Sequence, residues 1–118
     1  MDIIFDFIRE EMRKHKIADY HVKGIKIEVA ASTTESIEAQ NDFHFFADAS
    51  CDTTLNGRIR GTGGGNSLDI NAKNISTSVF KHQAFKGAVS IQNSNAADIL
   101  IVEFLRVTPV FERIPVEN

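Results

Sequence analysis

The chain has 118 residues, of which 42% are hydrophobic and 25% charged, and its formal net charge is −3. This length corresponds to one domain, and a composition near globular averages excludes a disordered or fibrous protein. No run approaches the ~18 apolar residues of a membrane-spanning helix. The single cysteine, Cys51, cannot form an internal disulfide, so we expect a reducing, cytoplasmic location.

Residues 1–16 predict one amphipathic helix. Its apolar side chains recur at spacings of three and four, on one stripe and the row beside it: Ile4, Phe7, Ile8 and Met12. A helix this short is marginal by itself in water, so the stripe must pack against another surface. We expect that surface to be the domain's own sheet. The alternative is a partner subunit, in which case these four residues form an interface.

From Tyr20 onward the hydrophobic period changes from 3.6 to 2, which is typical of half-buried strands. In the segment 43–51, strict alternation predicts two faces. One face carries Phe43, Phe45, Ala47, Ala49 and Cys51, and the other carries His44, Phe46, Asp48 and Ser50. Phenylalanine on both faces indicates either a strand in the centre of the sheet or a strand whose second face is also covered.

Turn residues separate the segments that follow. The pair Asn56-Gly57 tolerates the positive φ angles of a type I′ turn and predicts a β-hairpin. Residues 61–67 are a looser glycine-rich connection, and further strands are predicted at 68–72, 75–80 and 88–91. Segment 98–107 is apolar on every face and fits a buried helix or a doubly buried strand. Its β-branched residues favour the strand.

The repeated short strands predict a mainly β, single-domain antiparallel β-sandwich or barrel of about seven to nine strands, preceded by one amphipathic α-helix. The expected organisation is a helix at 1–16, an antiparallel β body at 20–108 and an extended C-terminal tail at 109–118. No repeat or linker divides the chain.

No local catalytic motif is present. The glycine-rich loop lacks the spacing of a dinucleotide fingerprint and the Lys-Ser/Thr of a phosphate loop. The histidines lack metal-ligand spacing, so we expect no metal and no cofactor. The weak catalytic candidates are three residues in strand patterns: Glu103, Asp48 and His44. Burial of Glu103 in the apolar segment 98–107 would raise its pKa. The alternative, which we favour, is that Glu103 pairs with Arg106 or with a basic residue on a facing strand.

Charge alternates along the chain. Residues 9–26 contain six basic and three acidic residues, whereas residues 27–55 contain six acidic residues and no basic ones. Blocks of opposite sign can pair between neighbouring strands or between subunits. No block is dense enough for a phosphate-tracking stripe, so no nucleic-acid partner is expected.

These observations favour a non-catalytic binding or assembly module that acts through protein–protein contacts, with self-association as the specific hypothesis. One alternative is a small β-barrel that carries an apolar ligand, with the nine phenylalanines lining its cavity. A second alternative is an enzyme whose catalytic groups come from separate strands.

Overall fold

A computed structural model of the chain describes residues 3–38, 41–61, 67–71 and 84–110. They form one helix, α1 (Ile3–Lys14), and eight strands: β1 (Asp19–Val29), β2 (Thr34–Ile37), β3 (Phe43–Cys51), β4 (Asn56–Gly61), β5 (Ser67–Asn71), β6 (Ala84–Lys86), β7 (Val89–Asn93) and β8 (Leu100–Val110). The mainly β architecture with one N-terminal helix is therefore confirmed.

The strands form two antiparallel four-stranded sheets. Sheet A has the order β1-β8-β3-β6, and sheet B has the order β2-β7-β4-β5. In the part of the chain that the structure describes, neither sheet closes on itself or on the other, so the body is a sandwich rather than a barrel. The chain crosses between the two sheets by short connections, since β2 and β7 belong to sheet B while β1, β3 and β8 belong to sheet A.

Sheet A is covered on both faces. Its inner face packs against sheet B through a core that includes Phe46, Phe104 and Ile91, all at most 1% exposed. Its outer face carries α1, whose buried Ile8 and Met12 share a second cluster with Phe43, Phe45 and Val107. The expected docking of the helix on the domain's own sheet is therefore confirmed, and it explains the phenylalanines on both faces of β3.

The helix ends in a Schellman-type cap. The Lys16 N–H donates to the Arg13 carbonyl at 3.0 Å, and the Ile17 N–H donates to the Met12 carbonyl at 2.8 Å. Lys16 has a φ of 59°, in the left-handed region where such caps usually have glycine. The helix thus ends two residues before the predicted boundary at residue 16.

The predicted faces of β3 are wrong beyond Phe46. A bulge at Ala47 shifts the register with β8, so that Phe46 pairs with Phe104 but Asp48 pairs with Glu103. A bulge inserts one unpaired residue and reverses the alternation after it. The outer face therefore carries Phe43, Phe45, Asp48 and Ser50, and the inner face carries His44, Phe46, Ala49 and Cys51.

The predicted hairpin turn at Asn56-Gly57 is also wrong. Both residues belong to β4, where Gly57 pairs with Ile70 on one side and with Asn93 on the other. A Cβ at Gly57 would overlap the carbonyl oxygen of Gln92 and lie 3.2 Å from Cδ2 of Leu100. Glycine is required there because β7 and the core approach closely, not because the backbone turns.

Segment 98–107 contains most of the strand β8, as its β-branched residues predicted. The strand continues through Pro109 to Val110, two residues into the segment expected to be the tail. Proline is tolerated because β3 pairs with β8 only as far as Val107, so that Tyr20 of β1 is the one cross-strand neighbour of Pro109 among the described residues. The strand predicted at 75–80, residues 62–66 of the glycine-rich loop and the tail at 111–118 lie outside the described residues.

A polar cluster joins the loops at one end of sheet A, where β1 ends and β8 begins. This end is far from the C-terminal end of α1. Asn93 is 1% exposed, and its Nδ2 donates to the carbonyls of Val29 at 3.0 Å and Asp98 at 2.9 Å. Asn95 accepts from the Asp98 N–H at 2.9 Å and donates to the Thr54 carbonyl at 2.9 Å. These amides satisfy carbonyls that burial would otherwise leave unpaired.

We predict that Gly57→Ala destabilises the fold by about 1–3 kcal/mol, because β7 must shift to admit the methyl group. Gly24→Ala is the matched control, since a Cβ at Gly24 meets nothing within 4 Å. Urea unfolding of both variants measures the difference. Equal stabilities would contradict the close approach of β4 and β7.

We predict that Lys16→Gly stabilises the fold by about 1 kcal/mol, because glycine avoids the steric cost of the left-handed conformation. Lys14→Gly, inside the helix, should instead destabilise by about 1 kcal/mol. Thermal melts at low protein concentration compare the two variants. A loss of stability in Lys16→Gly would contradict the cap geometry.

Candidate functional site

The two carboxylates proposed from sequence as acid or base, Glu103 and Asp48, face solvent. They lie directly opposite each other on the outer face of sheet A, beyond the part that α1 covers. Lys26 is the cross-strand neighbour of Glu103 on its other side. Asp48 accepts a hydrogen bond from the N–H of Ala49 at 2.9 Å. Glu103 is exposed beside a facing basic strand, because residues 101, 103 and 105 of β8 face outward while Leu100, Val102 and Phe104 fill the core.

The third candidate, His44, is fully buried on the inner face of β3. Its Nδ1 donates to the Gly87 carbonyl at 3.0 Å, since a carbonyl can only accept. Its Nε2 accepts from Nε of Arg106 at 3.1 Å. Arg106 also donates to the Glu38 carbonyl at 3.0 Å and lies 3.6 Å from Oδ2 of Asp42. The imidazole therefore joins β3, β8, the β6–β7 turn and the segment before β3.

Burial lowers the pKa of His44, and the Arg106 charge lowers it further, while the bond to Gly87 and the Asp42 carboxylate act in the opposite direction. The ring is thus neutral, with its proton on Nδ1. Both nitrogens are occupied, so His44 has no lone pair available for general-base chemistry. Its role in the fold is to position the loops. Its ring also packs edge-on against the ring of Phe104, with 5.8 Å between the ring centroids.

The residues proposed as a helix interface are mostly used within the chain. Ile8 and Met12 are at most 1% exposed, and Phe7 is half-buried with its ring 5.6 Å from that of Phe45. The backbone of Ile4 lies in α1, and its side chain is outside the described residues. The described side chains of the stripe, Phe7, Ile8 and Met12, therefore pack on the domain's own sheet.

Among the described residues, β1 forms the longest strand at the edge of a sheet. Within the described ranges, β1 is hydrogen-bonded along all eleven residues to β8 and to no other strand. Strands in globular proteins are usually shorter, with a mode of about five or six residues. The outward N–H and C=O groups of such an edge are a template for another strand.

An open groove of about 590 Å³ lies between α1 and the start of β1. It is lined by three basic residues of the helix and its cap and by three residues that follow: Arg9, Arg13, Lys16, Ile17, Ala18 and Tyr20. Phe5, four residues before Arg9 and so on the same flank of the helix, is 43% exposed. The groove is therefore lined by three cationic side chains, of which Arg9 and Arg13 are paired with Asp6 and Glu10 of the helix.

Comparisons with known proteins find no matching family model, no matching curated protein and no matching solved structure. In the described part of the chain, no helix is long and apolar enough to cross a bilayer. The described histidine, cysteine and acidic side chains form no group of three that would hold a metal ion. Function must therefore be argued from the surfaces themselves.

Sequence reasoning missed the link between His44 and Arg106 and the position of β1 at an edge. The first could not be predicted because His44 and Arg106 are sixty-two positions apart in the chain and only strand pairing brings them together. The second depends on strand order. The basic block at residues 9–26 was visible in the sequence, and it supplies the cations of the groove.

We predict that His44 makes the fold less stable in acid. Its pKa is lower in the folded chain than the ordinary value of 6.5, so the unfolded chain binds more protons as pH falls below 6.5. The stabilising contribution of neutral His44 is complete above pH 6.5 and is lost as the pH falls toward the pKa of the folded chain. The free energy of unfolding then changes by at most about 1.4 kcal/mol per pH unit.

Urea unfolding between pH 7.5 and 4.5 measures this slope, and His44→Gln is the control that lacks the titrating ring. The variant should be less stable at pH 7.5 but should show a shallower pH dependence. Identical slopes in the two proteins would contradict a neutral His44 in the folded state.

Proposed function

We propose that this protein is a non-catalytic assembly module that self-associates through the free edge of β1. The observation that carries the proposal is the eleven-residue strand Asp19–Val29, which has a partner on one side only among the described residues. A second copy can add its own β1 to this edge and extend sheet A into a continuous eight-stranded sheet. Strand addition is a common mode of protein recognition.

A two-fold axis perpendicular to the sheet fits this edge. Such an axis pairs β1 with itself in antiparallel orientation and gives a closed dimer with two identical halves. The register that uses the whole strand places its central residue, Gly24, on the axis. Gly24 is exposed and has open space around it, so two copies can meet there without a steric conflict.

Charge favours the same register. With Gly24 on the axis, Lys23 lies opposite Ile25 of the second copy, and no like charges are directly opposed. An axis through Lys23 or through Lys26 would place two lysines directly opposite each other, which is destabilising. An axis through Ile25 avoids that repulsion but leaves Asp19 and Tyr20 without partners. The centred register thus combines the longest pairing with acceptable charges.

The two alternative functions have less support. The described phenylalanines that would line a carrier cavity pack within the protein: Phe46, Phe85 and Phe104 lie between the sheets, and Phe43 and Phe45 lie under α1. The enzymatic candidates Asp48 and Glu103 are exposed, and His44 has both nitrogens occupied. A cytoplasmic location remains part of the proposal, because the single cysteine fits a reducing compartment.

Cross-linking tests the proposed dimer. In a Cys51→Ser background, Gly24→Cys places two thiols on the axis, where directly opposite Cα atoms lie about 4.5–5.5 Å apart and permit a disulfide. We predict that mild oxidation gives a covalent dimer of twice the 13.1 kDa chain mass. Light scattering of the unmodified chain should show the same mass at high concentration.

Ser36→Cys in the same background is the matched control, because Ser36 is exposed on β2 in sheet B. It should remain monomeric under the same oxidation. A monomer at every concentration in the unmodified chain would contradict the proposal, and so would equal cross-linking of the two cysteine variants. Ile8→Asp is unsuitable as a test, because Ile8 is fully buried and the change would disrupt the core.

A further inference from the structure

We infer that the basic groove beside β1 is an ionic subsite that receives Glu28 of the second copy. The inference rests on the proposed β1 dimer and adds to it a specific contact that sets its register and affinity. The groove between α1 and the start of β1, the free strand edge and the charge of Glu28 are separate features of one chain. The two-fold arrangement brings them together twice, once on each side of the axis.

The position of the groove on the helix is the first step. Phe7 and His15 face β3, since their rings lie 5.6 Å from Phe45 and 5.0 Å from Phe43. Arg9 and Lys16 are on the opposite flank of the helix, where they line the groove with Tyr20. The cations therefore face the free edge of sheet A, on the side where a second copy would add.

The second step is the direction in which α1 runs relative to β1. Phe7 contacts Phe45, and the pairing of β3 with β8 and of β8 with β1 aligns Phe45 with Gly24. His15 contacts Phe43, which the same strand pairing aligns with Val22. The C-terminal end of α1, with its basic side chains, thus lies toward Tyr20.

The register of the dimer is the third step. With Gly24 on the axis, residue 28 of the second copy lies directly opposite residue 20. In antiparallel pairs, directly opposite residues project from the same face of the sheet. Tyr20 belongs to the outer face, as its contacts with the helix cluster show. Glu28 of the second copy therefore projects on that face, beside the basic end of the groove.

The charges on both sides are available. Within the described ranges, Glu28 is exposed and has no ion pair, and the same holds for Lys16. Arg13 is shared with Glu10 at 3.3 Å, where both side chains are more than half exposed. Arg9 is likewise paired, with Asp6 at 3.2 Å, so Lys16 is the unpaired cation among the described residues of the groove. Its full charge outweighs the negative end of the helix dipole, which equals about half a charge.

The left-handed conformation of Lys16 also supports the ionic subsite. Glycine would suit this cap better, so the lysine costs stability within the monomer. Residues that keep such a conformation often have a role outside the fold itself. A cation at the mouth of the groove is a role that glycine could not fill.

A charge-exchange cycle tests the inference in the full chain. Glu28→Lys and Lys16→Glu should each weaken the dimer about tenfold or more, because each places two repulsive contacts in the symmetric interface. The double variant, in which the two charges are exchanged, should recover most of the lost affinity. Sedimentation equilibrium over a dilution series gives the dissociation constants, and thermal melts confirm that each variant is folded.

Glu103→Lys is the matched control, because Glu103 is an exposed carboxylate on the same face but one strand away from the edge. Its dimer should have an unchanged dissociation constant. Two results would overturn the ionic subsite alone while the unmodified chain still dimerises. One is an equal change in the dissociation constant for all three single variants, and the other is no recovery of affinity in the double variant. Absence of any dimer in the unmodified chain would instead overturn the proposed function.

Discussion

The fold depends on the burial of β8 from both faces of sheet A. Leu100, Val102 and Phe104 point inward and join the core shared with sheet B, whereas Leu105 and Val107 point outward beneath α1. A strand covered on both sides must be apolar on both sides, which accounts for the near-continuous hydrophobic run in its sequence. Because β8 pairs with both β1 and β3, every other part of sheet A is positioned relative to it.

This arrangement also determines which surfaces remain open. Helix α1 covers only the end of sheet A that carries Val107 and Phe43, and the strand order leaves β1 at an edge. Charged side chains along an exposed edge normally limit uncontrolled pairing. Here Lys23 and Lys26 restrict the registers that a second β1 can adopt, so the same residues that oppose aggregation also make the proposed pairing specific.

The sequence predicted the features that depend on local pattern: the helix at residues 1–16, the strand in 98–107 and a layered antiparallel body. It did not predict features that depend on neighbours distant in the chain. The bulge at Ala47 has no local signature, and it moved Asp48 away from the face of His44. Gly57 resembles a turn residue, but the reason for its small size is the Gln92 carbonyl on β7. Strand order, which decides the edge, is likewise set by the whole fold.

The most direct test of the account is amide hydrogen exchange of β1 as a function of protein concentration. In an unpaired edge strand, alternate N–H groups point away from the sheet and exchange rapidly with solvent. The account predicts that these alternate amides between Asp19 and Val29 become protected as concentration rises, while β2 and β5 at the edges of sheet B do not change. Rapid exchange of the outward β1 amides at every concentration would contradict it.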